Sequence, residues 1–421
     1  MRNTLVAILA AALLALGPAT APVPAAAAST AAPPIKVSGD HLVNATTGAT
    51  FYADGVNEAS WANECTQGSR TSGWDGSSAA QAAVPVQDWA GVNMVRIHLN
   101  EDCWLGINGL PALYSYATYR SAVETAVSAI NAAGGIADVV LAWNAPGTTK
   151  SLGQGTMCDS SHCPAFWNSV ASVFGSNRSV IFELYSEPRP DGGADNATAA
   201  ACVKNGGPAG GVCASYKTTG LQQITKNLRK DGAQNVILEG GPGSEQDPYL
   251  WADYKVTDPL NDVAASWHTY PHNVCNTTSC WNSDIKPVAD QVPVIVSEVG
   301  DSAHISTGCT YTYSPAVTAW TSTIDNGAIT PEAFVWDPFG ACDNLTTDLS
   351  TGAPTSPYGS GWKGFFASDG ASPQAVPRAR RAATCVITEA DGPGVTGRQS
   401  VTQVIIENVC GRAWIYATLM L

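Results

Sequence analysis

Eight short apolar runs, separated by segments with helical periodicity, constrain this chain more than any other feature. The runs are Phe51–Val56, Val92–Ile97, Val139–Trp143, Val180–Tyr185, Val236–Glu239, Val263–Trp267, Val294–Ser297 and Ala333–Trp336. Each is short and rich in β-branched and aromatic side chains, so each reads as a buried strand. Between them, Tyr119–Ala132 carries apolar residues at helical spacing and stops at Gly134-Gly135, a C-cap signal. Phe166–Phe174 and Tyr216–Lys230 behave likewise. Regular alternation implies parallel strands joined by helical crossovers. Eight such units favour an α/β fold of the (β/α)8 barrel type. An open doubly wound sheet is the alternative that alternation alone leaves standing.

In such a barrel the functional groups gather at the C-terminal ends of the strands. Those ends carry Asn57, His98, Asn100, Trp143, Glu187, His268, Tyr270, Glu298 and Trp336. The set is polar and aromatic, and its two carboxylates stand after strands four and seven. Paired carboxyls cleave glycosidic bonds: one protonates the leaving oxygen, and the other attacks the anomeric carbon or activates water. Tryptophans supply faces on which sugars stack. Composition removes other classes. With 21 Lys+Arg against 35 Asp+Glu, the formal net charge of −14 offers no basic surface for nucleic acid. The Gly-x-Gly-x-x-Gly matches at Gly359 and Gly392 do not sit between a strand and a helix, which argues against a dinucleotide site. No Gly-x-Ser-x-Gly elbow is present, which disfavours a serine hydrolase.

The N-terminus has Arg2, an apolar run from Leu5 to Leu16 and small residues at Ala25–Ala28. This pattern predicts a signal peptide over 1–28, and hence a secreted, extracellular protein free of the membrane after cleavage. Export makes the twelve cysteines legible as disulfides. Pairing by neighbour gives Cys65/Cys103, Cys158/Cys163, Cys202/Cys213, Cys275/Cys280, Cys309/Cys342 and Cys385/Cys410. A metal site at Cys158, His162 and Cys163 is the rival reading. No Cys-x-x-Cys pair supports it, so no metal is expected.

Local motifs sharpen the chemistry. Phe182-Glu183-Leu184-Tyr185-Ser186-Glu187-Pro188 resembles the acid/base strand of family 5 glycoside hydrolases. Pro293–Gly300, which contains Glu298, resembles the family's nucleophile strand. Val95-Arg96-Ile97 resembles its strand-two arginine, Trp267-His268-Thr269-Tyr270 its His-x-Tyr, and Phe334-Val335-Trp336 its strand-eight tryptophan. Leu99–Gly109 and Trp143–Gly147 are similar to secreted bacterial members. The resemblance covers about residues 35–367 and implies a retaining enzyme on a (β/α)8 barrel with disulfide-pinned loops. It implies Glu187 as acid/base and Glu298 as nucleophile, with Arg96, His268, Tyr270 and Ser186 in support. Trp143, Trp336, His98 and Asn100 would contact substrate. The implied activity is hydrolysis of β-1,4-linked polysaccharide, an endo-β-1,4-glucanase first. Mannan, xyloglucan or another β-glucan is the alternative substrate, and a catalytically weak saccharide-binding protein is the alternative of another class. No cofactor is implied, the partner is a β-linked poly- or oligosaccharide, and a monomer is expected.

The chain departs from the family pattern in three places. Ser186 stands where the family has Asn, Ala142 where it has His, and His98 where close members have Pro. His98 shares a strand face with Arg96 and is expected to fill part of the space at Ala142. Glu183 and Glu239 read as buried support, Glu101 and Asp102 as solvated loop charges, and His162 as a loop hydrogen bond. Ser372-Pro373 and Arg378–Arg381 mark 368–384 as a linker. Residues 385–421 faintly resemble the start of a family 2 cellulose-binding module, too short to fold alone.

Overall fold

The computed structural model describes residues 31–369, apart from 68–71, 110–115, 302–309, 325–326 and 339–341. The expected signal peptide, most of the linker, the C-terminal tail and Cys309 lie outside the described residues.

Eight parallel strands close into a barrel, which removes the open-sheet alternative. They are β1 (Gly55–Glu58), β2 (Met94–Asn100), β3 (Ile136–Trp143), β4 (Val180–Glu183), β5 (Ile237–Glu239), β6 (Val263–Thr269), β7 (Val294–Val299) and β8 (Ile329–Ala333). Closure is made by β8 on β1, through Glu332 opposite Gly55 and Ala333 opposite Val56. The helices Tyr116–Ala132, Cys163–Phe174, Leu221–Lys230 and Tyr313–Thr321 are among the crossovers, and Tyr358–Asp369 follows β8. The first stops at Gly134, whose φ of 96° is the left-handed value glycine adopts without strain.

Strand period explains why every barrel position is buried yet chemically distinct. On β2, Val95, Ile97 and Leu99 face the helical shell, whereas Met94, Arg96 and His98 face the barrel axis. The axis is layered. Met94, Ile136, Ile181, Leu238, Ala264 and Ile295 form an apolar floor. A hairpin, Ile35–Ser38 paired with His41–Asn44, adds Ile35 and Leu42 to it from below. Burying each large apolar side chain contributes about 1.5–3 kcal/mol, so this floor is a stable base for polar groups above it. One step higher lie Arg96, Asp138, Glu183 and Glu332, and above them the cavity opens.

Two strands differ from their apolar runs. Phe51 and Ala53 precede β1 and pack into the floor. The eighth strand begins at Ile329 instead of Ala333, and Phe334 and Trp336 follow it. Pro331 and Glu332 conceal this strand in a hydrophobicity reading. Glu332 is fully buried because it faces the charged middle layer.

Four disulfides join Cys65–Cys103, Cys158–Cys163, Cys202–Cys213 and Cys275–Cys280, as neighbour pairing expects. Cys342 is also disulfide-bonded. The Cys158–Cys163 bond removes the sulfurs needed by the rival metal reading. His162 Nε2 instead meets the Gly147 carbonyl at 2.6 Å. Glu101 and Asp102 are corrected: both are buried. Asp102 accepts from the Ser151 amide at 2.8 Å and Asn108 Nδ2 at 3.0 Å. Burial, and then Asp159, push the Glu101 carboxyl up to about 11. Among the described residues no helix is long and apolar enough to cross a membrane.

Candidate active site

A cavity of about 350 Å³ opens at the C-terminal end of the barrel. Its lining includes His98, Ala142, Trp143, Ser186, Glu187, Glu298 and Phe334, with Asn63, Gln67 and Gln154 from the surrounding loops. The strands deliver these groups by local geometry. Glu187 follows β4 and has φ of 49°, a left-handed value that costs a non-glycine residue energy and marks a functional bend. On β7 the register slips between Val296 and Val299, and between the β6 positions Ser266 and His268. This bulge lets successive residues face inward: Ser297 bonds the Ser266 hydroxyl, and Glu298 reaches Arg96.

Glu187 and Glu298 face each other, and together with His268 they offer ligand atoms that all lie within 4.8 Å of one another. Their surroundings differ. The Glu187 side chain is 27% exposed and the Glu298 side chain 9%. Arg96 Nη1 donates to Glu298 Oε1 at 2.7 Å, and the Tyr270 hydroxyl donates to Glu298 Oε2 at 2.9 Å. Burial alone would favour the protonated Glu298 carboxyl. His268 and Arg96 outweigh it and hold Glu298 down at about 2. Glu298 is therefore an ionised carboxylate throughout the neutral range.

His268 is the second charge centre. Its Nδ1 lies 3.2 Å from Glu187 Oε1 and 3.5 Å from Glu298 Oε2, and its Nε2 lies 3.3 Å from Glu245 Oε2. Burial works against the imidazolium, but Glu298, Glu245 and Glu187 overcome it and raise His268 to about 9. His98 goes the other way: burial first, then Arg96, hold it well below the usual histidine range. It is a neutral imidazole, with Nε2 at 2.9 Å from both Arg96 Nη1 and Asn57 Oδ1.

Arg96 is clasped by Glu183 through Nε at 2.5 Å and Nη2 at 2.8 Å, and Nη2 also reaches Ser186 Oγ at 3.1 Å. Glu183 is thus support for the arginine. Glu239 accepts the Val256 amide at 2.9 Å, also in a supporting place.

The structure relocates two expected substrate contacts. Asn100 is fully buried: its Oδ1 caps the helix Glu101–Leu105 through the Asp102 and Cys103 amides, and its Nδ2 donates to the Ala62 and Ser151 carbonyls. Every polar atom of its side chain is occupied, so none is left for a sugar. Trp336 is fully buried edge-on to Trp89, with ring centroids 4.9 Å apart, because β8 ends before it and the chain turns it into the shell. Phe334 lines the cavity in its place, edge-on to Tyr270 at 6.2 Å. His98 and Ala142 both line the cavity.

Sequence reasoning missed Glu245, on the loop after β5. Its Oε1 accepts the Glu187 backbone amide at 2.7 Å, and its Oε2 accepts from the Ser266 hydroxyl. The available signal was weak: a single carboxylate two residues beyond the glycine-rich segment Gly240–Gly243 that follows a barrel strand. Besides Glu187, His268 and Glu298, two clusters among the described residues have the composition of cation sites. In one, Asp247 and Asp284 meet the sulfurs of Cys275 and Cys280, which are joined to each other. In the other, Glu183, Glu245 and His268 converge, but Glu183 is held by Arg96.

A closed (β/α)8 barrel with two facing carboxyls at its C-terminal mouth is the architecture of a glycosidase. Residues 54–340 match the model of the cellulase family, glycosyl hydrolase family 5. The chain belongs to that family. Among solved structures, it is similar to the β-glucanase SdGluc5_26A from Saccharophagus degradans, in complex with cellotetraose. That match has 16% identity and a TM-score of 0.57, covering 80% of this chain and 93% of the other. A β-mannanase from Thermomonospora fusca matches at 17% identity and a TM-score of 0.56, covering 83% and 99%. The catalytic domain of a mannanase from Streptomyces sp. SirexAA-E matches at 18% and 0.53, covering 80% and 91%. At these identities the likeness supports the fold. No curated protein matches the sequence. Residues 385–421, with their likeness to a cellulose-binding module, fall outside the family match and outside the described residues.

Proposed function

We propose that this protein is a secreted retaining β-glycosidase that hydrolyses β-1,4-linked polysaccharide, an endo-β-1,4-glucanase in the first instance. The observation that carries the reading is the closeness of Glu187 and Glu298, whose nearest oxygens lie within 4.8 Å. Retaining enzymes hold their carboxyls about 5–5.5 Å apart, whereas inverting ones leave about 6.5–9.5 Å for a water.

In this reading Glu298 attacks the anomeric carbon, because Arg96 and His268 keep it ionised and Tyr270 fixes its second oxygen. Glu187, the more exposed carboxyl, gives its proton to the departing oxygen and later takes one from the water that hydrolyses the glycosyl-enzyme. Trp143 and Phe334 offer aromatic faces in the cavity, and Asn63, Gln67 and Gln154 offer polar contacts for hydroxyls. Secretion is supported by the four disulfides and by the N-terminal pattern of a basic start, an apolar run and small residues.

A mannan substrate is the second reading, favoured by the β-mannanases among the similar structures. The test is hydrolysis of cellulose oligomers, mannan and xyloglucan by the wild type beside Glu187→Gln and Glu298→Gln. Turnover of cello-oligomers by the wild type and its collapse in both variants supports the proposal. Saccharide binding without turnover supports the weak binding protein.

A further inference from the structure

We propose that Glu245 is a positioning residue of the acid/base apparatus: one of its carboxylate oxygens fixes the Glu187 backbone, and the other faces Ser266 and His268. The proposal rests on the reading of Glu187 as the acid.

The geometry singles this carboxylate out. Glu187 sits at the exit of β4, with φ of 49°. A left-handed non-glycine residue persists only where its surroundings hold it. The hold is the 2.7 Å hydrogen bond from the Glu187 amide to Glu245 Oε1. Glu245 is itself left-handed, with φ of 60°, and so is Ser244 before it, with φ of 61°. Two strained segments on neighbouring loops thus meet through one hydrogen bond.

The other oxygen is equally committed. Glu245 Oε2 accepts the Ser266 hydroxyl, which is bonded in turn to Ser297, and it lies 3.3 Å from His268 Nε2. His268 then presents Nδ1 to the Glu187 carboxyl at 3.2 Å. Glu245 therefore touches Glu187 twice, directly at the backbone and through His268 at the carboxyl. From neighbouring strands Arg96 and Glu183 act on it by charge, and Tyr254 lies behind the loop.

The chain makes room for this carboxylate. A Cβ on Gly240 would lie 2.1 Å from the Glu245 carboxyl carbon, so only glycine fits there. Gly240→Ala is thus a way to displace Glu245 without changing its chemistry.

The role separates from mere packing by leaving-group dependence. A general acid matters for a poor leaving group and little for an activated one. Misplacing a catalytic group by about 1 Å costs about 10²-fold. Wild type, Glu245→Gln, Glu245→Ala and Gly240→Ala are compared on a β-1,4-linked tetrasaccharide and on a 2,4-dinitrophenyl β-glycoside of the same sugar. The expectation for Glu245→Ala and Gly240→Ala is a kcat/KM about 10²-fold lower on the tetrasaccharide and a far smaller loss of kcat/KM on the activated substrate, whose kcat and KM fall together because Glu187 also serves the hydrolysis of the glycosyl-enzyme. Glu245→Gln can still accept the Glu187 amide, so it is expected to keep most of the tetrasaccharide rate. It places an NH2 group toward His268, and the alkaline limb of its pH profile is expected to move down. Equal losses of kcat/KM on both substrates overturn the proposal, as does a wild-type rate in Glu245→Ala. A wild type inactive on both substrates overturns the glycosidase reading instead. The clamp is then decided by the Glu187 amide proton in NMR spectra. A downfield signal that moves upfield in Glu245→Gln supports the clamp, and an unmoved signal overturns it.

Discussion

Arg96 Nη1 donates to Glu298 Oε1 at 2.7 Å, and the arginine side chain has no exposure to solvent. The same guanidinium clasps Glu183. One cation therefore serves a structural carboxylate and the candidate nucleophile. Removing one partner of a buried ion pair leaves an uncompensated charge and costs about 3–5 kcal/mol. Arg96→Met is expected to lower stability by that order and to raise the Glu298 carboxyl. The folded value of about 2 lies below the unfolded one, so Glu298 contributes stability above roughly pH 4.3 that is lost as pH falls toward 2. The acid limb of kcat/KM should accordingly move to higher pH in Arg96→Met. Denaturant melts and pH–rate profiles check both; an unshifted acid limb contradicts the assigned role.

His268 gives the opposite sign. Its folded value of about 9 lies above the unfolded ~6.5, so its contribution is complete below about pH 6.5 and is lost as pH rises through 9. A tenfold difference in proton affinity between the folded and unfolded chain is worth roughly 1.4 kcal/mol, so the loss across this window is about 3 kcal/mol. Thermal melts from pH 5.5 to 9.5 should fall more steeply for wild type than for His268→Gln. Parallel curves would remove the imidazolium from the account.

Ser186 is the short residue beside the acid, bonded to Arg96 and next to the space at Ala142. An Asn there reaches further into the cavity and adds a donor for the substrate. Ser186→Asn is expected to raise kcat on cello-oligomers by roughly tenfold or more, as one added transition-state hydrogen bond does. An unchanged or lower kcat would mean that neutral His98 already supplies the contact.

Three variants separate structure from substrate contact. Asn100→Ala removes a helix cap and should cost about 1 kcal/mol with kcat and KM nearly unchanged. Trp336→Ala opens a hole beside Trp89 and should cost about 3–5 kcal/mol. Phe334→Ala should raise KM at little cost in stability. A KM effect from Asn100→Ala would return that residue to the substrate.

How far the sequence reveals these features follows from their physics. Strand alternation shows the barrel because the parallel strands are apolar toward the helical shell and in the floor of the barrel, and Glu187, Glu298, Arg96, His268 and Tyr270 are visible because each ends or lines such a strand. The β8 segment is hidden because Glu332 and Pro331 interrupt its apolar run while Glu332 turns inside the barrel, where burial raises its carboxyl. Asn100 misleads because an N-cap and a sugar contact select the same side chain at a strand end. Trp336 misleads because a rotation of the chain after Ala333 exchanges its place with Phe334. Glu245 carries only a weak sequence signal, since its partners Glu187, Ser266 and His268 are brought to it only by barrel closure.

The central claim is that Glu298 bonds covalently to the sugar. The direct measurement is peptide mass spectrometry after incubation with 2,4-dinitrophenyl 2-deoxy-2-fluoro-β-cellobioside, with the corresponding mannobioside in parallel. The account predicts a single glycosyl adduct on the peptide that contains Glu298, absent in Glu298→Gln. An adduct on Glu187 or elsewhere, or turnover of the natural substrate with inversion and no adduct, would contradict it.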